Sequence, residues 1–503
     1  MIHERRDFIK WIYNLSVATA LSPVVLPQEL YADSSNNFSD YKVLVHILLN
    51  GGNDAFNMVI ADDSKSNLGM GYSYANYASI RSDLTVSKDN LTPKLSTFNN
   101  KVDLSGGNPY STGANSNADS YRRGIYSIPD TGIGINGLMP EVAQMMLDKN
   151  LAVLANIGTL VQPVTKDQIR ARSAKLPIYL FSHNSQRDLQ AGGRADKTSL
   201  TGWAGRLSDN WSNVNGGDVL GNNISFSGNN LSLVGAMVNP LILTTNPVKY
   251  NMDSSEQQMR RAIYQISSDS HIKNYINRII GRSHNLADQL IEQWRSSEQL
   301  FDGLSDSYGN PLFSIPDSDT INFNNGIGSS LIRRVEAIAK MIDYGRNNGV
   351  KRQIFFVEIG GFDCHNSQLN SHPQKLRELS LAIDKLQRAI DSFGLTDKVT
   401  GFTTTDFGRT VASNGDGTDH AWAGHNLVFG GAVNGGLYGD MPDLTLEGVQ
   451  DYGKNGRIIP TISVDQQLAT ISKWFGVDDI LMEKLFPNIG NFASRDLGFM
   501  IPS

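Results

Sequence analysis

The chain has almost no cysteine, no block of like charge and no long apolar run. Cys364 is the single cysteine in 503 residues, so no internal disulfide can staple the fold. It stands between Asp363 and His365 and reads either as a small half-buried residue or as a nucleophile. Lys and Arg number 44 against 50 Asp and Glu, giving a formal net charge of -6 with neither sign gathered in a run. A nucleic-acid protein would normally carry a basic stripe, and the sequence has none. No segment reaches the roughly 20 apolar residues of a membrane-spanning helix. With 40% hydrophobic and 19% charged residues, the composition is that of an ordinary soluble globular protein.

What is present begins at the N-terminus. Arg5 and Arg6 precede Phe8-Ile9-Lys10, a moderately apolar stretch covers 11–26, and Ala32 precedes a polar run. That order of features is a twin-arginine export signal; the plainer reading is a solvated basic turn. Asn14, Ser16 and Pro23 break the apolar stretch, which excludes a stable span. Residues 1–32 are read as a signal peptide taken by the twin-arginine translocase. Residues 33–503 are the mature protein, expected in the periplasm or outside the cell with no stable membrane span.

Residues 41–49 (YKVLVHILL) and 151–158 (LAVLANIG) are short, near-continuous apolar runs, as expected of strands buried on both faces. Further strands are expected at 353–359, 398–405 and 426–430. Apolar spacing predicts helices over 140–148, 256–300, 331–344, 373–393 and 465–475. Alternation of this kind specifies the α/β class, a mostly parallel sheet with helices on both faces. Two stretches interrupt it. Residues 61–132, rich in Asn, Ser, Asp and Gly, read as a loop-rich insertion, and 207–348 as a helical insertion.

Three strands end in polar turns: Gly51-Gly52-Asn53-Asp54, Gly361-Phe362-Asp363-Cys364-His365, and Asp406-Phe407-Gly408-Arg409 followed by Asp419-His420 and His425. Each alone is an ordinary surface turn. Ligands of open α/β sheets collect beyond the carboxyl ends of the strands, so the three would converge. Carboxylates with imidazoles suit a divalent metal such as Zn, Mn, Mg or Ca. Ser182 precedes a helix start, where an oxyanion would meet free N–H groups, or else it is an N-cap. His183 is a ligand or a hydrogen-bond donor. Arg409 contacts an anionic substrate or forms a salt bridge. His46, mid-strand, reads as a satisfied core histidine.

These motifs, with SHNSQ from Ser182, TGW-x-GR from Thr201, GTDHAW from Gly417 and a glycine-rich tail ending YGD-x-P, resemble a bacterial exported family, domain of unknown function 1501. That family in turn looks like a distant branch of the alkaline phosphatase and sulfatase superfamily. In phosphopentomutase-like members a strand ending in Asp-His-Gly is followed by Gly-Thr-Asp-His, and Thr405–Gly408 with Gly417–His420 is similar. The resemblance implies an alkaline-phosphatase-like fold and a metal-dependent hydrolase of phosphate or sulfate esters, acting on a small anionic or polymer-linked ester. It implies a nucleophile near a helix start, for which Ser182 is the candidate and Thr159 the rival, that Asp54 sits between metal and nucleophile, that Asp363, His365 and His420 form one metal site, and that Asp406 joins Asp54 at a second. Phe407 stands where the superfamily has His, and His425 is the substitute within reach of the motif. The departure leaves open a non-catalytic metal-binding or assembly protein that retains the hydrolase fold.

Overall fold

Lys42–Asn50 (β1) takes the middle of a sheet because both of its faces are apolar. Val43, Val45, Ile47 and Leu49 pack into one hydrophobic cluster, while Leu44 and Leu48 pack into a second on the opposite face. A strand reads as a continuous hydrophobic run when helices cover it on both sides. The computed structural model describes residues 38–65, 71–91, 121–211, 213–215, 222–246, 288–315 and 330–502. The proposed signal, 1–32, lies outside them.

The strands follow as Val59–Ala61 (β2), Ile125–Ile128 (β3), Ile133–Asn136 (β4), Leu151–Gly158 (β5), Asn223–Ser225 (β6), Leu241–Ile242 (β7), Arg352–Gly360 (β8), Val399–Thr405 (β9), Gly424–Phe429 (β10), Gly436–Tyr438 (β11) and Ile462–Ser463 (β12). Nine of them form the main sheet in the order β11-β5-β10-β9-β1-β8-β6-β7, with β12 beside β5. All pairings are parallel except those of β10, which runs antiparallel to β5 and β9. The molecule is thus an α/β protein with a mixed, mostly parallel sheet.

The helices Pro140–Leu147, Ser330–Asn347 and Val464–Phe475 fall within a residue or a turn of their expected positions. Ser463 and Gln466 close the last one with a capping box. Gln368–Ser392 starts five residues earlier than its apolar spacing indicates and runs through Pro373. The expected helix 256–300 lies mostly outside the described residues; 288–296 are helical. The stretch 207–348 carries two main-sheet strands, β6 and β7, as well as helix. The stretch 61–132 contributes β3 to a small antiparallel sheet, β2-β4-β3, together with the helix Tyr74–Arg81.

Register places the site. Asn50 pairs with Gly360, and Leu49 with Thr405, so three polar turns leave the sheet at one level. Gly51, at φ +117°, crosses so close to the next turn that a Cβ would lie 2.5 Å from the Asp363 nitrogen. At Gly417 a Cβ would lie 2.3 Å from the Cys364 carbonyl oxygen.

Candidate metal centre

His183 opens the helix His183–Gly192. Asp363 and His365 follow β8, Asp406 follows β9, and His420 lies in the turn before β10. Four of these side chains meet. His420 Nε2 lies 3.1 Å from His183 Nε2, 2.9 Å from His365 Nε2 and 3.3 Å from Asp363 Oδ1. Asp363 also lies 3.3 Å from His365 Nε2 and 3.5 Å from His183 Nε2. His183, Asp363 and His420 are, among the described residues, the group of metal-ligating side chains whose donor atoms all lie within 4.8 Å of one another.

The outer nitrogens fix the chemistry of the inner ones. His183 Nδ1 lies 2.6 Å from Asp406 Oδ2, His420 Nδ1 lies 2.9 Å from the Phe181 carbonyl, and His365 Nδ1 lies 3.3 Å from Asp419 Oδ1. Carboxylates and carbonyls only accept here, so each Nδ1 donates its proton outward and leaves Nε2 as the nitrogen that can offer a lone pair to the cluster. Burial lowers the His420 imidazole below its usual range, which keeps it neutral. Bare lone pairs about 3 Å apart repel unless a cation or a proton sits between them. A Zn-type ion bound at about 2.0–2.1 Å in a tetrahedron holds its donors about 3.3 Å apart, which matches the 3.1–3.5 Å spacing among His183, His420 and Asp363. Histidines braced by an acceptor on the other nitrogen are the usual arrangement around a metal. The residues present therefore fit a divalent ion, with His183, His420 and Asp363 as its holders; His365 stands beside His420 and Asp363 at the edge of the group. The side chains of His365 and Asp363 are 42% and 48% exposed, so the cluster opens to solvent.

Arg409 is fully buried and spends its guanidinium within the chain. It donates to the carbonyls of Gly51, Gly52, Phe362 and Thr418 and to Asp363. It ties the three turns together and has no free edge for a substrate, so its role is positioning. Burial would raise the Asp363 carboxyl, yet the Arg409 hydrogen bond and charge leave it below the usual range.

The other expected site residues are not among the inward-facing donors. Asp54 is 1% exposed, and its oxygens are taken by Arg81 at 2.6 and 2.7 Å and by Gln368. His425 is buried against Phe56, accepts the Asn156 N–H at 3.1 Å and stays neutral, pushed down to about 4 by burial. Asp406 braces His183 and accepts the Gly51 N–H at 3.2 Å. Ser182 is the N-cap residue but makes no capping bond; its hydroxyl lies exposed, 3.2 Å from Ser185 Oγ. Thr159 is buried under Gln190 and Trp422. Cys364 is 3% exposed and burial raises its thiol, the surroundings of a structural cysteine. Phe407 covers the His183 and His420 rings at 4.6 and 4.5 Å.

The sequence reading named Asp419 within the third turn but gave it no role, although it stands directly before His420 in the Gly-Thr-Asp-His motif. It also missed the Phe181 carbonyl, presented by a backbone at φ +69°, and Arg81, for which no local pattern gives a signal.

The profile of the family described as "Protein of unknown function (DUF1501)" matches residues 41–479. The chain belongs to that family. No curated protein matches it significantly. Among solved structures, this DUF1501 member is similar to a sulfatase structure from work on the metabolism of multiple glycosaminoglycans by Bacteroides thetaiotaomicron. That likeness has a TM-score of 0.21 at 12% identity and covers 30% of this chain and 36% of that one. Similarity to the crystal structure of Ps i-CgsB has a TM-score of 0.31 at 10% identity, over 70% of this chain and 71% of that one.

Proposed function

We propose that the protein is a metal-dependent hydrolase of phosphate or sulfate esters, exported by the twin-arginine route and working in the periplasm or outside the cell. The observation that carries this reading is the convergence of His183, His420 and the Asp363 carboxylate, whose donor atoms all lie within 4.8 Å of one another, with His365 beside them. His183, His420 and Asp363 would hold a divalent ion there. Such an ion would draw charge from the transferring group and from the attacking oxygen. Asp406, Asp419 and the Phe181 carbonyl fix the tautomer and direction of the three rings. Arg409 holds Asp363 and the three turns in register. Export rests on Arg5-Arg6 and the residues after it.

A second reading, a metal-binding or assembly protein that retains this arrangement without turnover, is favoured by Ser182. Its exposed hydroxyl contacts Ser185 and none of the cluster residues. Elemental analysis of the purified protein, followed by assay of aryl phosphate and sulfate esters, tests both. One divalent ion per chain with ester turnover supports the hydrolase. An ion without turnover supports the second reading. No ion, and no thermal shift with Zn, Mn, Mg or Ca, refutes both.

A further inference from the structure

His420 sits at the centre of the candidate metal site, and two contacts outside the cluster fix it. Its Nδ1 donates to the Phe181 carbonyl at 2.9 Å, and its own carbonyl accepts the Arg457 Nε–H at 3.0 Å. Phe181 and Arg457 also meet each other. The guanidinium carbon lies 4.8 Å from the centre of the Phe181 ring, within the range of a cation–π contact. Imidazole, aromatic ring and guanidinium thus close a circuit. Arg457 is half-buried and has no ion pair within 4.0 Å among the described residues, so no carboxylate among them accounts for where it stands.

The circuit has a strained element to hold. Phe181 stands at φ +69° and Tyr179, two residues earlier, at φ +50°. Bulky residues seldom adopt that conformation, and a backbone stays in it only where its surroundings over-determine it. The residue so placed is the one whose carbonyl turns to His420. Tyr452 adds an edge-on contact to the Phe181 ring at 5.6 Å, and its N–H donates to the Arg457 carbonyl at 2.8 Å. The buried Asp451 carboxylate gathers the N–H groups of Glu447, Gly453, Gly456 and Arg457. Arg457 is therefore presented by a loop that is fixed independently of its side chain.

We propose that Arg457 is a positioning residue for the metal centre. By holding the Phe181 ring and the His420 carbonyl together, it aims the His420 imidazole, and with it Nε2, at the ion. The role rests on the metal reading of the site and adds no ligand to it. Outer partners that orient a ligand histidine are worth about 10–100-fold in metal affinity.

The test compares wild type, Arg457→Ala and Arg457→Lys by zinc affinity, from chelator competition, and by the visible spectrum of the cobalt-loaded protein. Arg457→Ala should bind zinc about 10–100-fold more weakly and shift the cobalt bands, which report ligand geometry. The urea midpoint of the chelated protein should stay at the wild-type value, because Asp451 holds the loop. Arg457→Lys keeps the charge but lacks the planar face and the Nε–H, so it should behave like Arg457→Ala. Phe181→Ala should lose affinity in the same direction, and Arg457→Ala on that background should cost less than it does alone. Wild-type affinity and spectrum in Arg457→Ala, full rescue by lysine, or an affinity loss matched by a fall in the chelated midpoint would overturn the proposal. A wild-type protein that takes up neither zinc nor cobalt would overturn the metal reading and this role together, whereas wild-type uptake unchanged in the Arg457 variants would remove this role alone.

Discussion

Replacing Asp54 with alanine should be among the most damaging single changes in the protein. Asp54 and Arg81 are 1% and 0% exposed and form a two-pronged ion pair at 2.6 and 2.7 Å. Burial alone would raise the Asp54 carboxyl, but the Arg81 charge and the bonds from Arg81 and Gln368 leave it below 3.8. Removing it strands a guanidinium in the core. Breaking one side of a buried pair costs about 3–5 kcal/mol, a large part of the roughly 5–15 kcal/mol that holds a domain folded. The damage should spread, because Gln368 also accepts the Thr418 hydroxyl at 2.8 Å, two residues before His420. Urea unfolding of wild type, Asp54→Ala, Arg81→Met and the double variant measures this. The double variant should recover much of the loss, since no unpaired charge remains. A carboxyl lowered in the folded state contributes above its unfolded value and stops contributing as pH falls through the folded one. The gap between wild type and Asp54→Ala should therefore close below about pH 4. An Asp54→Ala protein within about 1 kcal/mol of wild type, or a double variant no more stable than Asp54→Ala, would refute the reasoning.

Other outcomes follow from the same structure. His183→Ala with His420→Ala should abolish binding of a divalent ion and its thermal stabilisation, measured by elemental analysis and melting; retained stoichiometric metal would place the site elsewhere. Arg5→Lys with Arg6→Lys should leave a folded full-length precursor in the cytoplasm, visible by fractionation, and normal export would exclude the signal assignment. His46, His372 and His425 are lowered by burial from 6.5 to about 3, 4 and 4. The unfolded chain takes up protons below about pH 6.5 while the folded chain does not, so stability is full above that and falls toward pH 4. A flat urea midpoint between pH 7 and about 4.5 would contradict this. Cys364 should react with a thiol reagent only on unfolding; prompt labelling of the native protein would show that its burial is misjudged.

The sheet was legible because burial on both faces writes itself into the chain as runs such as 41–49 and 353–359, and the polar turns stand where those runs stop. Three of the four cluster residues were grouped from motifs alone, with His183 left between two roles. What escaped was direction. Asp54 and Asp363 both follow a strand and a glycine turn, but one points into the core and pairs with Arg81, which lies in a stretch without periodicity. Only the folded backbone decides that. The antiparallel sense of β10 was hidden too, since six residues carry no sign of their direction. Arg409 read as a substrate contact or a salt bridge; the structure pairs it with Asp363 and adds backbone carbonyls from three distant turns, which no side-chain pattern records.

The place of β1 has a consequence for how the chain is made. It is synthesised before its two neighbours, β8 and β9, which begin 310 and 357 residues after Lys42, at Arg352 and Val399. Until those strands leave the ribosome, an apolar ribbon with two open edges has nothing native to pair with, the situation that invites association between chains. Synthesis to about residue 405 is thus a threshold: before it the centre of the sheet cannot close, and after it closure joins the ends of the domain in one late step.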